Sequence, residues 1–154
     1  IGLVNIVRKG QFSFPVWYDE TGFWNVGLLT GGKTVYSLLI TGYNSSKNLE
    51  TIGFGLGLTI PISPWMDLKF DYLNQFYTTD ASRCEFVSQS GEPEVTHRLR
   101  LGIDLRVARI LSFTAGVSLN TSNMDQGQIG PVDGVAKFLG DRVWPGFFIG
   151  VNLL

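Results

Sequence analysis

The chain has 154 residues and a formal net charge of −1, a balance without the basic footprint that binds nucleic acid, and its length suits one domain. Charged residues reach only 16%, against about 25% in soluble domains, while aromatics reach 13% and glycines number 19. No apolar run approaches the roughly 20 residues of a membrane helix, which excludes a helical membrane protein.

A period of two runs through most of the chain. A first segment, Ile1 to Val7, is followed by a tight turn near Arg8 to Gly10. Phe12, Phe14, Val16 and Tyr18 then share one parity, as do Trp24, Val26 and Leu28, and, after the Gly31-Gly32 turn, Tyr36, Leu38 and Ile40. From Thr51 to Ile62, the apolar residues Ile52, Phe54, Leu56, Leu58, Ile60 and Ile62 alternate with glycines and Thr59. Beyond a turn at Ser63 to Trp65, Leu68, Phe70, Tyr72 and Phe76 oppose Asp67, Lys69, Asp71 and Gln75, with Leu73 the apolar intruder on the polar face.

From Thr96 to Val107, Leu99, Leu101, Ile103, Leu105 and Val107 alternate with Arg98, Arg100, Gly102, Asp104 and Arg106. A helical period would scatter those charges around a cylinder, so the fold class is all-β. After a turn at Ala108 to Arg109, Leu111 to Asn120 repeats the alternation, and Phe147, Ile149, Val151 and Leu153 form the last apolar stripe.

Tight turns alternate with the longer polar links Tyr43 to Glu50, Thr78 to Glu94 and Thr121 to Val143, so long and short connections fall at opposite ends. The pattern resembles that of bacterial outer-membrane β-barrels, which have short periplasmic turns, longer external loops and strands of roughly ten residues with apolar outer faces. The resemblance is to an architectural class and implies a closed antiparallel transmembrane β-barrel in the outer membrane of a Gram-negative-type bacterium, with the lipid bilayer as partner. Nine segments conflict with the even strand numbers of such barrels. The first choice is eight strands with the first segment only partly in the wall, and the second is ten with a strand missing. The start at Ile1 fits a processed or truncated chain. The end at Leu154 departs from the aromatic, outward-facing final residue of the class, which a trimmed C-terminus would reconcile. Trp17, Tyr18, Trp24, Tyr43, Trp65, Tyr77 and Trp144 lie near strand ends and are expected in the interfacial girdles.

The inward charges Asp67, Lys69, Asp71, Arg98, Arg100, Asp104 and Arg106 form the first candidate site. In a narrow barrel they pair into an electrostatic plug; in a wider one they line a small anion-preferring pore. His97, the single histidine, shares parity with Leu99 and Leu101 and is expected at the outer rim. Lipid A deacylase barrels, similar in shape, carry a serine two positions after such a histidine, where this chain has Leu99. No metal site or cofactor is expected: one cysteine, Cys84, and one histidine cannot build a zinc cluster, and a Cys-x-x-Cys-His haem attachment sequence is missing. Asp125, Asp133 and Asp141 with the glycine-rich stretch Gly127 to Gly134 lack the dense spacing of a calcium loop.

The leading functional reading is a membrane anchor or surface-interaction module whose external loops meet a protein or ligand. The alternatives are an anion-preferring pore, a lipid-modifying enzyme using His97, and a soluble lipocalin-like barrel with its faces inverted.

Overall fold

The computed structural model describes residues 11–32, 34–80, 85–86, 88–89, 92–123, 136–138 and 141–153. Eight antiparallel strands form the wall: β1 (Gln11–Asp19), β2 (Trp24–Gly31), β3 (Val35–Asn44), β4 (Leu49–Ser63), β5 (Met66–Asp80), β6 (Val95–Ala108), β7 (Leu111–Ser122) and β8 (Asp141–Leu153). Each pairs with the next in sequence, and β1 pairs with β8 from Phe14↔Leu153 to Asp19↔Phe148, which closes the cylinder. Closure removes both sheet edges, so the wall satisfies its backbone groups internally. Eight strands complete the circle, so the ten-strand alternative does not describe it. The segment Ile1 to Val7, Cys84, Asp125, Asp133, the Gly127–Gly134 stretch and Leu154 lie outside the described residues.

The period of two sets the two faces of the wall. Phe54, Leu56, Leu58, Leu101, Ile103, Val117 and Ile149 are exposed on the outside. Among the described residues, 21 buried side chains are polar or charged against ten apolar ones. Apolar outside and polar inside is the reverse of a lipocalin-like soluble barrel, and it is the arrangement of a transmembrane β-barrel. In β3 the apolar parity of Tyr36, Leu38 and Ile40 points inward, against the apolar outer faces expected of such a wall, while Val35, Leu39 and Tyr43 face out. Both parities of that strand carry apolar residues, and the pairing Trp24↔Tyr43 with β2 settles which one faces the lumen.

The strand ends divide into two groups. The β2–β3, β4–β5 and β6–β7 turns lie at one end together with the start of β1, and the longer links lie at the other. The β1–β2 link also lies at the long-loop end and is short: Gly22 turns the chain there with φ 82°.

Candidate functional site

The lumen is filled in layers. Nearest the long-loop end, β1 and its following turn supply Asp19, Glu20 and Thr21, and β6 supplies Arg98. Arg98 Nη1 donates to Asp19 Oδ2 at 3.0 Å, and Arg98 Nη2 donates to Thr21 Oγ1 at 3.1 Å. Asp19 also accepts from Asn25 Nδ2 at 2.9 Å and from the Thr21 backbone N–H at 3.0 Å, so the buried carboxylate is saturated. Glu20 Oε1 accepts from Asn120 Nδ2 at 2.7 Å and Trp144 Nε1 at 3.2 Å, which ties the β1–β2 turn to β7 and β8. Burial raises the Glu20 pKa, partly opposed by Arg98.

The next layer mixes charge with hydrocarbon. Arg100 and Asp71 sit directly opposite on paired strands, with Nε to Oδ1 at 2.6 Å and Nη2 to Oδ2 at 3.1 Å. The Arg100 guanidinium lies 4.7 Å from the ring centres of both Trp17 and Phe148. Tyr36 donates to Asp71 Oδ2 at 2.8 Å, and Gly57 leaves room for the Tyr36 ring, which a Cβ there would strike. Trp17, Leu38, Ile40, Leu73 and Phe148 form a buried apolar cluster at this depth. The interior is therefore not uniformly polar, and Leu73, the intruder in the β5 alternation, belongs to that cluster.

Toward the short-turn end the packing loosens. Lys69 Nζ meets Asp104 Oδ2 at 2.9 Å, Thr114 Oγ1 donates to Asp104 Oδ1 at 2.6 Å, and Arg106 Nη2 meets Asp67 Oδ2 at 2.8 Å. Asp67, Lys69, Asp104 and Arg106 line a cavity of about 890 Å³.

The seven charges singled out from the sequence thus all take ion pairs inside the wall, but their partners differ from the simple picture of β5 facing β6. Only Asp71 and Arg100 pair straight across; Arg98 leaves β5 and joins Asp19. Sequence reasoning missed Asp19, Glu20, Tyr36 and Phe148. Asp19 and Phe148 share the inward parity of their strands, which was the available signal.

The aromatic assignment needs correction. Trp17, Tyr77 and Trp144 are 4%, 0% and 1% exposed and point into the barrel. Each lies on the inward parity of its strand, where the apolar and hydrogen-bonding interior holds it. Trp24, Tyr43 and Trp65 are exposed on the outer side, and Tyr18 packs on Trp24 with ring centres 5.2 Å apart. Trp24, Tyr18 and Tyr43 lie at the long-loop end and Trp65 at the short-turn end.

His97 faces outward. Its Nδ1 lies 2.5 Å from Asn74 Oδ1 and 2.8 Å from Tyr72 Oη, and its ring stacks on Tyr72. Among the described residues no group of three or more metal-ligating side chains gathers at one point.

No family model matches the chain, and no curated protein matches it. Among solved structures it is similar to a protein from the de novo design of transmembrane β-barrels. The two are 14% identical with a TM-score of 0.51, and the match covers 94% of this chain and 92% of that one. A NanC porin aligns over 94% of this chain and all of its own, at 10% identity and a TM-score of 0.40, too loose to carry any argument. The first likeness shows the fold alone: a closed transmembrane β-barrel.

Proposed function

We propose that the protein is a plugged outer-membrane barrel of a Gram-negative-type bacterium, one domain that serves as a membrane anchor or surface-interaction module. The supporting observation is the filled lumen: the Arg98–Asp19 and Arg100–Asp71 layers, with Trp17 and Phe148 closing on Arg100, leave the upper interior packed. Lipid covers the apolar wall, Tyr18, Trp24, Tyr43 and Trp65 sit at headgroup depth, and the short turns face the periplasm. The links Thr78 to Glu94 and Thr121 to Val143 then lie outside the cell, where a rigid wall holds them for a partner protein or ligand.

Planar-bilayer recording tests this reading. The reconstituted protein should show no steady conductance, and Trp17→Gly combined with Arg100→Ala should create one by removing the mid-barrel packing. A stable anion-preferring channel in the unmodified protein would replace the plug by the pore reading.

A further inference from the structure

We infer that the open half of the lumen, at the short-turn end, is a binding site for a small hydroxylated anion, a polyol bearing a phosphate or carboxylate. The cavity of about 890 Å³ lies within the range of about 300 to 1,000 Å³ typical of ligand sites. The Arg100–Asp71–Tyr36 layer closes it above, so it is a blind cup and not a passage.

Charge sets the first half of the specificity. Lys69, Arg106 and Arg109 line the cup against two carboxylates, Asp67 and Asp104. Both carboxylates are engaged: Asp104 by Lys69 and Thr114, Asp67 by Arg106. Arg109 has no ion pair among the described residues, and the Arg106 side chain stays 46% exposed with N–H groups beyond the one given to Asp67. The uncompensated charge is positive, and two guanidinium groups can offer an oxyanion charge-assisted hydrogen bonds.

The second half comes from Asn152. This residue lines the same cup, is 2% exposed, and its Oδ1 accepts no hydrogen bond. A buried acceptor without a partner calls for a donor, which a simple anion such as chloride lacks and a hydroxyl supplies. Leu29 and Phe12 add apolar surface beside a carbon skeleton.

Calorimetric titration of the folded barrel in detergent micelles, with glycerol 3-phosphate as probe and inorganic phosphate and glycerol as controls, tests the site. Glycerol 3-phosphate should bind saturably and more tightly than either control. Arg106→Gln with Arg109→Gln should weaken it tenfold or more, and Asn152→Leu should erase the preference over inorganic phosphate. Heat-modifiable migration on a gel establishes that each variant is folded, and Arg109→Gln alone, at an exposed turn, gives a folded test if the double variant fails. No saturable binding, or binding that survives loss of both arginines, would overturn the anion site; equal affinity for glycerol 3-phosphate and inorganic phosphate would overturn the hydroxyl half. The cup's closed end rests on the plug reading, which conductance tests independently of this titration.

Discussion

Arg98 and Asp19 meet at 3.0 Å inside the barrel although 79 residues separate them in sequence and their strands are not neighbours in the wall. Their side chains are 3% and 1% exposed, so neither charge has water to fall back on. Arg98→Met should cost about 3–5 kcal/mol, because it strands a buried carboxylate. Adding Asp19→Asn should recover part of that loss. Urea unfolding in lipid vesicles measures both; a loss under about 1 kcal/mol for the single variant would mean that the pair does not support the fold.

The outer wall makes a second prediction. Leu101 is exposed near the middle of the β6 outer stripe, between Leu99 and Ile103. Leu101→Arg should destabilise the inserted protein by about 2–4 kcal/mol, whereas Val107→Arg, close to the short-turn end, should cost only about 0–1 kcal/mol. The same unfolding assay reads the difference. Equal and negligible effects would mean that the face meets water.

Glu94 links stability to pH. It precedes β6 at the long-loop end, is 1% exposed, and neither carboxylate oxygen has a hydrogen-bond partner. Burial pushes its pKa from 4.5 up to about 7, against the opposing pull of Lys47 and Arg142. The folded protein therefore keeps a proton that the unfolded chain has released. Glu94's contribution is fully present below the usual carboxylate range and is lost as pH rises from about 4.5 to about 7. The difference in urea midpoint between Glu94→Gln and the unmodified protein should open across that interval, in favour of the glutamine. A constant difference from pH 4 to pH 8 would contradict this assignment.

The alternation of β4 to β7 was legible because each strand carries one apolar and one polar parity, and the same rule applied consistently would have turned Trp17, Tyr77 and Trp144 inward. Nearness to a strand end measures depth along the barrel but says nothing about the face. In β3 both parities are apolar, so only its pairing with β2 and its packing on Trp17 and Leu73 decide the direction. Arg98's partner was beyond local reading altogether: which residue lies across a lumen depends on closure and stagger, and Asp19 ends a strand while Glu20 begins a turn. Leu73 did carry a signal, since an apolar residue on a polar face marks the depth at which the interior turns to hydrocarbon.

The four tryptophans give the most direct test of the lipid-facing wall. Single-tryptophan variants, reconstituted in bilayers whose acyl chains carry bromine, separate lipid contact from burial in the lumen. Trp24 and Trp65, 62% and 57% exposed, should be quenched at shallow depth, while Trp17 and Trp144 should stay bright. Quenching of Trp17 and Trp144 with protection of Trp24 and Trp65 would invert the two faces and contradict the transmembrane barrel.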